Sequence, residues 1–188
     1  MKKYIAIGIS LCILVITLAA CKDVFKNKFS TEKKFVSEEG KFKVSFPNTP
    51  KASSEVIPYS TGNFTIPIHM FLDEETPIKT AVIYADYPKG ILKGTDNNAQ
   101  KVLSGAKEGA LGSLASNMGS YVVQSQKDII VNDHPGIIFN AKFENGLCVI
   151  YELVLVNDRL YQVRMFTEKE YPKKEVSDKF FNSFEITE

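Results

Sequence analysis

Residues 136–167 read GIIFNAKFENGLCVIYELVLVNDRLYQVRMFT, and this stretch decides the fold. Asn145-Gly146 and Asn157-Asp158 cut it into three β-rich runs: Gly136 to Glu144, Leu147 to Val156 and Arg159 to Thr167. Asn-Gly tolerates positive φ at both positions, which makes it a strong short-range signal for a hairpin. Just upstream, Asn132-Asp133-His134-Pro135 separates a fourth run, Tyr121 to Val131. Four runs with short joints predict an antiparallel meander. Leu147 to Val156 is apolar on both faces, so it is expected at the centre, covered on both sides.

Outward from the meander, the period of the sequence changes. From Asn98 to Asn117 the pattern favours helix, with Leu103, Ala106, Ala110 and Leu114 near one face. Asp96, Asn97 or Asn98 is the expected cap and Gly119 the stop. Gly105, Gly109 and Gly112 fall inside the helix, where each costs about 1 kcal/mol against Ala. Close packing of the helix on the sheet, Gly109 above all, is the expected reason. Glu170 to Asn182 is the second expected helix, with Pro172 near its start and Val176, Phe180 and Phe181 inward. Phe184-Glu185-Ile186 follows as a short last strand.

On the N-terminal side, Lys41 to Phe46 alternates, placing Phe42, Val44 and Phe46 on one face of a half-buried strand. Residues 52–58 are extended. Phe64 to Leu72 is a strand expected to be bulged or at an edge, because Pro67 has no N–H to give a ladder. Ile78 to Asp86 is another, with Val82 and Tyr84 on one face. The predicted class is α+β: an antiparallel β-sheet whose four-strand meander is sandwiched between helices.

This order resembles the PsbP-like fold, shared by bacterial DcrB-like lipoproteins and the lumenal PsbP proteins of photosystems. The residues that carry the likeness are Glu39-Gly40-Lys41-Phe42-Lys43-Val44-Ser45-Phe46-Pro47, the single helix before the meander, and Phe180-Phe181-Asn182-Ser183-Phe184-Glu185-Ile186. The resemblance covers the chain from Phe35 onward. It implies a binding or assembly factor, and it carries over no functional residue.

Before that domain stands a leader. Met1-Lys2-Lys3 is a short positive start, Tyr4 to Ala20 is uncharged and mostly apolar, and Leu18-Ala19-Ala20-Cys21 resembles a bacterial lipobox. Residues 1–20 are therefore expected to be a lipoprotein signal peptide, with Leu18, Ala19 and Ala20 recognised by the signal peptidase and Cys21 acylated. Several acyl chains on one N-terminus hold far better than one. Residues 21–34 are expected to be the lipidated cysteine and a basic tether, and 35–188 a single domain. Lys22 after the cysteine resembles the sorting pattern for an outer membrane, where the host has one. The expected location is the bacterial cell envelope, lipid-anchored and extracytoplasmic.

Charge and cysteine count narrow the function classes. The 188 residues hold 23 basic and 22 acidic side chains, a net charge of +1. Without Lys2 and Lys3 the balance becomes −1, which offers no whole-domain attraction for nucleic acid. Of three cysteines, Cys12 lies in the leader and Cys21 is taken by lipid, so Cys148 has no partner for a disulfide within the domain. Cys148 is expected as an inert buried thiol. His69 is expected on the surface of its strand. His134 beside Asp133 is read as turn chemistry, since two ligands are too few for a structural zinc. Gly105, Gly109 and Gly112 lack the Gly-Lys-Ser/Thr ending of a phosphate loop. Asp73-Glu74-Glu75 is expected as a solvated loop.

No catalytic residue, cofactor site or metal site is expected, and the chain is not expected to be an enzyme. The expected role is a non-catalytic binding or assembly module of unknown envelope partner, joined to the membrane through lipid on Cys21. The alternative is a small-ligand carrier with a pocket between sheet and helix, for which a cavity lined by Phe64, Tyr84 or Met70 would speak. A hydrolase or redox enzyme is the least expected. Mass spectrometry of the mature protein should find Cys21 at the N-terminus, heavier by acyl groups, and Cys21→Ser should remain an uncut precursor. An unmodified Cys21 would overturn the leader reading.

Overall fold

The structure is a computed structural model that describes residues 34–58, 65–74, 77–92 and 99–187. The leader, Leu18 to Cys21 and nearly all of the tether lie outside these residues, as do Phe64, Glu75 and the expected caps Asp96, Asn97 and Asn98. In chain order the elements are β1 (Phe35–Ser37), β2 (Phe42–Val44), β3 (Lys51–Pro58), β4 (Thr65–Asp73), β5 (Lys79–Asp86) and α1 (Ala99–Met118). Then come β6 (Tyr121–Val131), β7 (His134–Phe143), β8 (Leu147–Val156), β9 (Arg159–Glu168), α2 (Lys174–Phe181) and β10 (Glu185–Ile186).

The fold is mostly β, with two antiparallel sheets and two helices. The large sheet runs β3-β4-β5-β9-β8-β7-β6, and a three-stranded sheet runs β1-β2-β10. The expected balance of helix and sheet shifts toward sheet for two reasons. First, β9 is not the end of the sheet: its outer side pairs with β5 from Arg159↔Asp86 to Phe166↔Lys79, which adds β5, β4 and β3. Second, α2 has eight residues rather than the thirteen expected, because Pro172 and Lys173 precede it and Lys173 is extended at φ −55°, ψ 142°.

Positive φ falls at every turn that the sequence marks, and also at Lys41 (51°) and Lys169 (67°), which it does not. Asn132 and Asp133 both have positive φ, 45° and 65°, and close a two-residue hairpin between Val131 and His134. The expected turn thus sheds His134 and Pro135 into β7. Gly146 (φ 91°) and Asn157 (φ 55°) close the next two hairpins, and Gly119 (φ 84°) ends α1 with its N–H on the Ala115 carbonyl at 3.1 Å. β4 is neither bulged nor at an edge. It pairs with β3 through Pro67↔Val56, whereas its pairing with β5 starts one residue later, at Ile68. The missing N–H of Pro67 therefore interrupts no ladder on the β5 side.

Two cores lie on the two faces of the large sheet. On one, Val102, Leu103, Ala106, Ala110 and Leu111 of α1 pack on Phe139, Val149, Tyr151 and Leu153. On the other, Phe42, Val44 and Phe46 join Phe180, Phe181 and Phe184 over Val82, Tyr84, Ile150, Val154, Tyr161 and Val163. β8 feeds both cores, as expected of a central strand. The second cover is a small sheet plus α2, not a helix alone. Its latch is polar: the Tyr161 hydroxyl donates to the Gly40 carbonyl at 2.7 Å. Arg159 donates to both carboxylate oxygens of Asp86 at 2.6 and 2.8 Å and to the Glu39 carbonyl at 3.0 Å.

The close packing expected of the helix glycines is absent at Gly105 and Gly112, where a Cβ would meet nothing within 4 Å. Gly40 and Gly136 are confined: a Cβ at Gly40 would lie 2.6 Å from Ser37 Oγ and 2.7 Å from the buried Phe42 ring, and one at Gly136 would lie 2.6 Å from the Leu153 carbonyl oxygen. Gly105→Ala and Gly112→Ala should each raise the unfolding free energy by up to about 1 kcal/mol. Gly40→Ala should lower it by about 1–3 kcal/mol. Denaturant titration of the three variants checks the signs.

Candidate functional site

Side chains alternate across a strand, so register places residues in rows on one face. On the α2 side, Lys127 of β6 faces Ile138 of β7, which faces Glu152 of β8, which faces Val163 of β9. The neighbouring row is Ser125, Asn140, Ile150 and Met165. α2 and Phe184 cover the β8 and β9 ends of these rows, where Ile150 and Val163 share a core with Phe180 and Phe181. Toward β6 the cover runs out.

What remains is a half-open groove of about 740 Å3. Its floor is the sheet, with Lys127, Ile138, Asn140, Ile150 and Glu152, and its wall is α2 and the chain after it, with Lys174, Ser177, Asp178, Phe181 and Phe184.

Glu152 stands out in that floor. It is 5% exposed, and among the described residues its Oε1 has no hydrogen-bond partner. Burial pushes its carboxyl from 4.5 up to about 7, against the pull of the Lys127 ammonium. The wall charges are engaged otherwise: Lys174 pairs with Asp178 one helical turn on. Glu185, at the groove's end, pairs with Lys34 and Lys43, whose hydrogen bonds hold its carboxyl below the usual range. A buried acid without a partner is the costliest polar arrangement in the site, and it lines a space that a ligand can enter.

The residues singled out in the sequence lie elsewhere. Cys148 is buried, as expected, and burial raises its thiol above the ordinary value. His69 is not a free surface residue: its side chain is 24% exposed and its ring stacks on Tyr84, centroids 4.6 Å apart. Burial pushes the Tyr84 hydroxyl up to about 12. His134 opens β7, with β8, β9 and β5 between it and the strand of His69, a separation of about 19 Å. The two histidines do not converge, and among the described residues no cluster of three or more metal-ligating side chains exists. Tyr84 and Met70 point into opposite cores, so they cannot line one cavity. Asp73 is no part of a solvated loop; it is buried at the end of β4 and accepts the Asn48 backbone N–H at 2.8 Å.

Sequence reading missed Glu152. Its signal was present: it is the one charged residue in Leu147–Val156, a run read as buried on both faces.

No known family profile matches the chain, and no curated protein matches it in sequence. Solved structures do. The solution structure of cyanobacterial PsbP (CyanoP) from Synechocystis matches over 90% of this chain and 98% of its own, with TM-score 0.52 and 11% identity. A protein from Bacteroides thetaiotaomicron matches over 83% of this chain and 48% of its own, with TM-score 0.44 and 11% identity. A Pseudomonas aeruginosa protein of unknown function, described as a putative regulator, matches over 72% and 82%, with TM-score 0.33 and 9% identity. The fold is therefore PsbP-like.

The raised carboxyl of Glu152 has a sign that can be measured. In the unfolded chain it ionises near 4.5, in the folded protein near 7. Its penalty is absent below the lower value, grows between the two, and is complete above the upper one. Glu152→Gln should thus raise the unfolding free energy by about 3 kcal/mol at about pH 8 and by little at about pH 4. Denaturant unfolding of both proteins at the two pH values checks this. An equal gain at both would show that the carboxyl is not held up.

Proposed function

We propose that this chain is a membrane-anchored extracytoplasmic lipoprotein that binds a small molecule in the groove between its sheet and α2, without catalysis. The observation that carries the reading is the groove itself, about 740 Å3 with a buried carboxyl in its floor. That volume lies in the range of pockets for small ligands. The groove is part apolar, through Ile138, Ile150, Phe181 and Phe184, and part polar, through Asn140 and Glu152, the mixture such sites use to bind and orient. In this reading acylated Cys21 and the basic stretch 22–34 hold the domain at the envelope membrane, as in the DcrB-like lipoproteins that the chain resembles. β6 to β9 act as a four-strand meander held between α1 and α2, with the groove on the α2 side.

A second reading, a protein-binding or assembly module, is favoured by the outer edge of β6, which pairs with no other strand among the described residues. Val122 and Ile130 are 67% and 69% exposed there, and an unpaired edge accepts a partner strand.

Titration with N-phenyl-1-naphthylamine, a neutral apolar dye, separates the two. Wild-type protein should bind one equivalent. Ser177→Trp, which fills the groove from α2, should weaken binding by about tenfold or more, whereas Val122→Lys on the β6 edge should leave it unchanged. Undiminished binding by Ser177→Trp would overturn the groove reading.

A further inference from the structure

Resting on the groove as a ligand site, we propose that its occupant is a small amphiphilic primary amine, with the ammonium on Glu152 and the apolar body along Ile138, Ile150, Phe181 and Phe184. The charge argument starts from what Glu152 lacks. Its Oε1 is buried with no donor among the described residues, yet it lines an accessible space. An ammonium brings both hydrogen-bond donors and the opposite charge, and in a site of low dielectric such a bond is among the strong ones. Phe181 and Phe184 line the same groove and offer the apolar body a place to bury.

Other chemistries fit less well. A hard metal ion takes six or more oxygen ligands, and one carboxylate with an amide nearby supplies too few. An anionic ligand could reach Lys127 only by placing a second negative charge beside Glu152. A neutral apolar ligand would leave the carboxyl desolvated and unpaired.

Each element packed around Glu152 brings its own charges or none. β6 contributes Lys127, whose ammonium pulls the carboxyl downward. On the same face β7 contributes Ile138, Asn140 and Lys142, and the Lys142 ammonium donates to the Lys169 carbonyl at 2.9 Å. β9 contributes Val163 and Met165 beside it, and Tyr161 and Arg159 farther along, where Arg159 is held by Asp86. α2 contributes the Lys174–Asp178 pair, and β10 contributes Glu185, held by Lys34 and Lys43. Ligand ammonium and proton therefore compete for the same oxygen atoms. Affinity should fall as the solution is acidified through the range in which Glu152 takes up a proton.

Two fluorescent probes of one shape test this: dansylcadaverine, an apolar ring system on a primary amine, and its N-acetyl derivative, which carries no charge. Both are titrated into the full chain in detergent, with micelles alone as the blank. At about pH 8 the amine should bind about tenfold tighter than the acetylated probe, and the preference should shrink toward about pH 5.5. In Glu152→Gln the ratio of the two affinities should collapse toward one. Thermal unfolding confirms that this variant is folded. Equal binding of both probes by wild type, or an unaltered preference in Glu152→Gln, would overturn the amine assignment and leave the groove reading standing. Binding of neither probe would overturn both.

Discussion

Burial of β8 on both faces is the constraint on which the rest of the structure depends. Val149, Tyr151 and Leu153 point to one side, Ile150 and Val154 to the other. Each such side chain stabilises by about 1.5–3 kcal/mol only if water is removed from it, so the sheet needs two covers. α1 supplies the first as one continuous helix. The second has to be assembled from both ends of the domain: β1 and β2 from the start, α2 and β10 from the finish. Pairing of Glu185 and Ile186 with Lys43 and Phe42 joins those ends. Rings of Phe35, Phe42, Phe46, Phe71, Phe180 and Phe184 fill the space beneath, with Phe42 touching Phe35, Phe71, Tyr84, Tyr161 and Phe184.

That assembled cover is smaller than the sheet it covers. An eight-residue helix is about 12 Å long, whereas seven strands span about 29 Å from first to last. The cover is held over β9 and β5 by Tyr161 and Arg159, which bind the backbone at Gly40 and Glu39. Anchored there, it reaches β6 only at its end, where the Ile186 N–H donates to Asn132 Oδ1 at 2.9 Å and Val131 packs on the second core, and most of β6 stays uncovered. The groove is the uncovered remainder, and Glu152 sits at its inner margin, deep enough to lose water and close enough to the opening to face an occupant. Architecture and candidate site thus have one cause.

Much of this was legible in residues 121–167. Hairpin joints at Asn132-Asp133, Asn145-Gly146 and Asn157-Asp158 carry their own backbone preference, so β6 and β8 have the very limits expected of them. The inward set Phe42, Val44, Phe46, Phe180 and Phe181 was legible from alternation and helical period. Less could be read where pairing is remote. Nothing local says that β9 pairs with β5, that β4 lies inside the sheet despite Pro67, or that Gly105 and Gly112 face open space. His69 shows the same limit: its phase in the strand was right, but that face is covered by a small sheet whose strands come from elsewhere in the chain.

The sequence by itself determined the strands of the meander, the helix before it and the double-sided burial of β8, because each depends on neighbours within a few residues. Tertiary structure alone decided the seven-strand order, the composite second cover and the groove. Those depend on which distant segments meet. Glu152 marks the boundary between the two. As one charge in an apolar run it is visible in the sequence, but its raised carboxyl and its missing partner arise only where β6, β7 and α2 surround it.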